Sequence, residues 1–184
     1  SKWSLSGEGS RTVENSIVKQ TVSGTNHVFE RMVGITDNIG DNVVLGVRHK
    51  VVRATVAYCG ERIGVKSDYK VAFQNRGDPQ KQFLNEATAW GGIIRPFTVN
   101  QWYVTELYYD GTNLKTRDDY AATWDSWTVS GKSGHVNLWA YAHNGGTTEV
   151  DTDFVYQRQY VDDEPQSGKW ENEEMITDTP IASF

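Results

Sequence analysis

The chain has 184 residues and a formal net charge of −6, which gives enough length for one domain with a full core and no cationic excess to hold a nucleic-acid backbone. One cysteine, Cys59, excludes an intramolecular disulfide and a multi-cysteine zinc site, and no apolar run approaches the roughly 18 residues of a membrane span. The charge is uneven, with 17 Lys and Arg against 17 Asp and Glu in residues 1–161, and one Lys against seven acids in residues 162–184. That divides the chain into a neutral body, 1–161, and an acidic C-terminal tail or linker, 162–184. Ser1, where an initiator Met would stand, reads as the start of a processed or excised piece.

Twenty Val and 17 Thr stand against six Leu and ten Ala. This choice favours pleated strands, because branched Cβ atoms lose rotamer freedom in helices. Alternation predicts strands over 11–22, 27–35, 42–53, 55–59, 69–74, 101–109, 113–115, 126–130, 135–142 and 150–160, and no segment sustains a helical period. Asp110-Gly111 reads as a hairpin turn, with further breaks at 75–79 and at Asn144-Gly145-Gly146, where glycine accepts a positive φ. The predicted class is all-β, an antiparallel sandwich or barrel of short strands.

Two predicted strands have unlike faces. In 135–143, Val136, Leu138, Ala140 and Ala142 share one side, and His135, Asn137, Trp139, Tyr141 and His143 the other. In 42–53, Leu45, Val47, His49 and Val51 oppose Arg48 and Lys50, as the two-residue period of a strand requires. A polar and aromatic face suits a sugar, since rings stack on the apolar side of a pyranose while amide and guanidinium groups bond its hydroxyls. Asn137, Trp139, Tyr141 and Arg48 are therefore the candidate ligand residues, and Trp90 and Trp124 join them from predicted loops. The same aromatics would serve equally to cover the sandwich or to fill a subunit interface. The four histidines read as satisfied or exposed side chains, His135 and His143 being too far apart along one strand to share an ion.

The order of these pieces resembles the concanavalin-A-like lectin/glucanase superfamily, a jelly-roll β-sandwich. Segment 42–50, with Arg48-His-Lys50, resembles an early concave strand; 101–111, ending Tyr-Tyr-Asp110-Gly111, is similar to the aromatic strand and turn of family 16 glucanases. Segment 135–143 resembles the penultimate strand and 153–160 the closing one. Arg158-Gln-Tyr160 followed by Glu164-Pro165 is similar to modules of prokaryotic, often archaeal, surface proteins. The resemblance implies a structural Ca²⁺ held by Asp153 with backbone carbonyls; a surface Asp paired with Lys or Arg is the competing reading. It also sets an expectation about chemistry. The glucanases carry Glu-x-Asp-x-x-Glu on a central strand, whereas the matching segment 69–74 has no carboxylate, so a retaining carboxylate pair is not expected.

The expected function is a non-catalytic carbohydrate-binding or adhesion module, extracellular on a cell or virion surface, with a polysaccharide or glycan as partner. A structural subunit of a capsid, pilus or surface layer, assembling with copies of itself, is the alternative, and a polysaccharide hydrolase or lyase with unrecognised residues is a third. No nucleic acid and no membrane span are expected.

Overall fold

The computed structural model describes residues 3–26, 28–39, 43–56, 59–64, 71–77, 80–86, 89–109, 113–119, 121, 123–128 and 134–161. The acidic tail and the Asp110-Gly111 turn lie outside the described residues. Among those described there is no helix, and so none long and apolar enough to cross a membrane. The strands are β1 (Trp3–Gly7), β2 (Ser10–Glu14), β3 (Ile17–Gly24), β4 (Val28–Ile39), β5 (Val43–Ala54), β6 (Gly60–Gly64) and β7 (Val71–Gly77). They continue as β8 (Gln80–Glu86), β9 (Ala89–Pro96), β10 (Tyr103–Tyr109), β11 (Asn113–Asp118), β12 (Asp125–Thr128), β13 (Gly134–Ala142) and β14 (Gly146–Gln159).

These strands form two seven-stranded sheets. Sheet A runs β1-β4-β13-β6-β7-β8-β9 and sheet B runs β12-β11-β10-β5-β14-β3-β2; each described pairing within them is antiparallel. Chain neighbours such as β4 and β5 lie in different sheets, the crossing pattern of a jelly roll rather than of a meander. The core between the sheets collects Val22, Val51, Tyr103 and Val150 from sheet B, Ala140 and Ala142 from sheet A, and Cys59 and Phe97 from connecting segments. Met32, Leu138 and Ile63 extend the inner pleat of sheet A in register across β4, β13 and β6. Cys59 is fully buried, its thiol directed at the His143 carbonyl.

Three local departures from the predicted strands have physical reasons. Segment 11–22 is a hairpin, split at Asn15 and Ser16, whose φ angles of 53° and 65° form the left-handed two-residue turn that matches strand twist. The described residues of segment 55–59, Thr55, Val56 and Cys59, are not in a strand: the Thr55 N–H donates to the Thr147 carbonyl and the Cys59 N–H to that of Val56, between sheet B and sheet A. Strands β8 and β9 were not predicted, because Gln-Lys-Gln-Phe-Leu-Asn-Glu and Ala-Trp-Gly-Gly carry little of the β-branched alternation that marks strands.

A polar bridge crosses the core. His49 of β5 and Glu61 of β6 are both buried, and His49 Nδ1 contacts a Glu61 carboxylate oxygen. On the other side of the ring, His49 Nε2 lies 2.7 Å from Thr105 Oγ1, which donates to Asp118 at 2.6 Å. Burial by itself disfavours the imidazolium, but the Glu61 carboxylate, reinforced by Asp118 and Asp119, outweighs it and raises the His49 pKa. The ring thus ties the two sheets together.

Candidate functional site

Residues opposite one another on adjacent strands share a pleat, so the pairing registers define the faces of sheet A. On the pleat away from the core, one row reads Arg31–Trp139–Arg62–Gln74–Phe83 across β4, β13, β6, β7 and β8. A second row reads Phe29–Tyr141–Gly60–Arg76–Lys81. A third reads Val33–Asn137–Gly64–Ala72–Asn85 and ends at Trp90 on β9. Asn137, Trp139, Tyr141 and Trp90 therefore fall on a single pleat. β9 stands four strand spacings from β13, or about 19 Å at the usual separation.

The side chains at the centre of this face are closely packed. Trp139 is 6 % exposed, while Tyr141 and Asn137 are each 2 % exposed. The Trp139 ring centroid lies 5.2 Å from that of Phe29, and the indole N–H points at Asn137 Oδ1 at 3.4 Å. Arg62, itself 8 % exposed, sets its guanidinium 4.8 Å from the Tyr141 ring centroid and 5.8 Å from that of Trp139, a cation–π arrangement strengthened by burial. On β6 it stands between Gly60 and Gly64, which contribute no side chains to the pleat. The two aromatic rings thus hold a cation and are not open stacking surfaces. Arg62 and Phe29 were not among the predicted residues, although alternation along 60–64 and the two glycines flanking Arg62 were signals for a ligand face.

Arg48 is not part of this group. It lies on β5 in sheet B, where its guanidinium pairs with Asp153 and sits 4.5 Å over the Trp102 ring. The expected groove combining Arg48 with Trp139 is thereby corrected, because β5 and β13 belong to different sheets and these two residues stand on the outer faces of opposite sides of the sandwich. Trp124, just before β12 and outside any strand, packs on sheet B, edge-on to both Tyr108 and Tyr160, whose rings stack at 3.9 Å. Trp90, expected in a loop, is on strand β9.

Asp153 falls where β14 slips register against β5, between Thr152 and Phe154. The extra residue of this bulge places both Asp153 and Phe154 on the outer side of sheet B. The Asp153 carboxylate is paired with Arg48, the competing reading of this residue, and among the described residues no group of three or more His, Cys, Asp or Glu side chains forms a metal site.

The outer face of sheet B is built from compensated charges. Lys50 pairs with Asp151 at 3.2 Å and Arg53 with Glu149 at 3.5 Å. Glu106, fully buried, accepts hydrogen bonds from Arg117 Nε at 2.5 Å, the Tyr156 hydroxyl at 2.7 Å and Arg158 Nε at 3.0 Å. Burial opposes ionisation of Glu106, yet Arg158, Tyr156 and Arg117 prevail and lower its pKa. Tyr156 reaches this carboxylate by lying over Gly46, where a Cβ atom would strike the ring.

No protein-family model matches the chain, and no curated protein does. Solved structures do. The carbohydrate binding module CBM66 from Bacillus subtilis is similar at 12% identity and a TM-score of 0.59, covering 86% of this chain and 96% of that one. The exoplasmic/lumenal domain of VIP36, in its Ca²⁺/Man3GlcNAc-bound form, is similar at 10% identity and a TM-score of 0.62, over 89% of this chain and 86% of that one. A family 7 alginate lyase in complex with product follows at 8% identity and a TM-score of 0.56, over 81% and 83%. At such identities the likeness concerns the fold. The pairing of two seven-stranded antiparallel sheets and these structural relatives together show that the chain has the concanavalin-A-like jelly-roll fold.

Proposed function

We propose that the protein is a non-catalytic carbohydrate-binding module acting on an extracellular or lumenal surface, with its site on the outer pleat of sheet A. The observation that carries this reading is the register that brings Asn137, Trp139, Tyr141 and Trp90 onto one face. The structural relatives that include a carbohydrate-binding module and a glycan-bound lumenal domain support it. The three registered rows of that face hold no Asp or Glu across β4, β13, β6, β7 and β8, so they offer no carboxylate pair of the kind a retaining glycosidase uses. A glycan array tests the proposal. Binding to at least one glycan is expected, weakened by Asn137→Ala and by Trp90→Ala without loss of the cooperative melting transition. No binding to any glycan would overturn it, and release of reducing or unsaturated ends from a polysaccharide panel would replace it with an enzyme.

A second reading, a subunit of a surface assembly, draws on one specific feature. Leu5 on β1 and Val13 on β2 are 52% and 60% exposed, and each strand forms the edge of its sheet, where unpaired backbone groups invite another chain. Light scattering over a concentration series tests this: a constant monomer mass counts against it, and ordered growth supports it.

A further inference from the structure

We infer that glycan binding on the outer pleat of sheet A is governed by a proton held in the core beneath it, on the bridge between His49 and Glu61: binding is strong while His49 is protonated and weak once that proton is lost. This rests on the carbohydrate reading above and adds its regulation. The observation is a contrast between two buried acids. Glu30 of β4 and Glu61 of β6 are both in register with Ala140 of β13, so they share the inner pleat, and each meets a basic residue of sheet B. Glu30 takes Arg11 Nε of β2 at 2.7 Å, and an arginine keeps its charge throughout the pH range of a folded protein. Glu61 instead takes the ring of His49, the side chain that titrates near neutrality. The titratable link lies under the strand that carries Arg62.

The contacts around His49 require a proton on both ring nitrogens. Nδ1 faces the Glu61 carboxylate, which only accepts. Nε2 lies 2.7 Å from Thr105 Oγ1, whose single proton goes to Asp118 at 2.6 Å, so Thr105 too can only accept from the ring. The other groups facing the ring are Tyr103 of β10, its ring centroid 6.2 Å away, and Thr152, directly opposite on β14; Arg48 and Lys50, its neighbours along β5, stand on the outer pleat. Burial lowers the His49 pKa, but Glu61 with Asp118 and Asp119 raises it by more. A neutral ring must turn a lone pair toward Glu61 or toward Thr105 and so lose one of the two contacts. Glu61 matters to β6 because that strand has few anchors. Gly60 and Gly64 have no side chain, Glu61 and Ile63 point to the core, and Arg62 stands on the outer pleat with its guanidinium against Tyr141 and Trp139. A buried carboxylate deprived of its imidazolium is drawn toward water, and a shift of β6 reaches the glycan face through Arg62, the next residue in the chain.

Affinity electrophoresis of the full chain through gels containing mannan, β-glucan or alginate, run over a series of pH values with mobility taken relative to a gel without polysaccharide, tests the inference. The His49 ring resonances in NMR spectra locate its transition, and circular dichroism gives the folded fraction at each pH. Affinity per folded molecule for the retarding polysaccharide is expected to fall about fivefold or more as pH rises through that transition. In His49→Gln the dependence should vanish, which also sets aside His27, His135 and His143 as its source. A second measurement needs no variant: linkage is reciprocal, so an oligosaccharide of the retarding polymer should move the His49 transition to higher pH by the same factor. Affinity that stays constant across the transition, pH dependence that persists in folded His49→Gln, or a transition that the oligosaccharide does not move would each overturn the inference and leave the carbohydrate reading standing. No binding to any of the gels at any pH would overturn both.

Discussion

The outer faces of the two sheets share a device, an arginine beside aromatic rings, yet they use it differently. On sheet B the cations meet acids on the same face: Arg48 with Asp153, Lys50 with Asp151, Arg53 with Glu149, and Arg117 and Arg158 with Glu106. On sheet A the described outer side chains at the centre of the face are an arginine, two aromatics and an amide, Arg62, Trp139, Tyr141 and Asn137, packed against one another and buried. A face whose charges close on themselves adds to the stability of the sandwich, whereas aromatic rings and an amide are the groups that stack on a sugar and bond its hydroxyls. Substitutions on sheet B should therefore be read in melting curves, and substitutions on sheet A in binding.

The largest effect expected on the sheet B side comes from Glu106→Gln. It leaves Arg117, buried on the same face, without its counter-charge, and breaking a buried pair from one side costs about 3–5 kcal/mol. Chemical denaturation should show that loss, while glycan affinity per folded molecule stays unchanged; a shift in affinity would blur the distinction between the faces. Gly46→Ala is next. Its Cβ must displace the Tyr156 ring and with it the hydroxyl on Glu106, an overpacking worth about 1–3 kcal/mol.

Between the faces, the His49–Glu61 bridge gives a pH signature of its own. A folded-state pKa raised above the unfolded value contributes stability that is complete below the unfolded pKa of about 6.5 and disappears as pH rises through the higher folded value. Melting temperature should therefore decline across that window, and His49→Gln should flatten the decline. Glu106, lowered in the folded state, works in the reverse sense: its contribution is complete above about pH 4.3 and is lost as pH falls through the lower folded value. The smallest effect is assigned to Arg48→Ala. Arg48 and Asp153 are partly exposed, such a pair is worth about 0–1 kcal/mol, and binding should not change. A marked loss of binding would restore Arg48 to the site and contradict the division between sheets.

Much of the fold could be read from alternation. β13 shows it plainly, with Leu138, Ala140 and Ala142 inward and Asn137, Trp139 and Tyr141 on the other side, and so does β5, with Leu45, Val47, His49 and Val51 buried and Arg48 turned outward. The period-two pattern survives because each strand buries one pleat. It does not report which sheet a strand joins, so Arg48 and Trp139 looked like neighbours when they stand on opposite faces of the sandwich. β8 and β9 escaped notice because their sequences lack that alternation, and Trp90 was consequently assigned to a loop. Arg62 was legible only in part: Gly60 and Gly64 mark its strand, but its cation–π partners come from another strand through a pairing that the sequence does not encode locally. The His49–Glu61 bridge was half visible as a histidine on an apolar face, but its partner lies in the other sheet.

The most direct measurement is a crystal structure of the chain with an oligosaccharide from the glycan array bound. The account predicts density on the outer pleat of sheet A, on the face that carries Asn137, Trp139, Tyr141 and Trp90, and the paired charges of sheet B undisturbed. A ligand seated instead on sheet B, displacing Asp153 from Arg48 or Glu106 from its arginines, would contradict it.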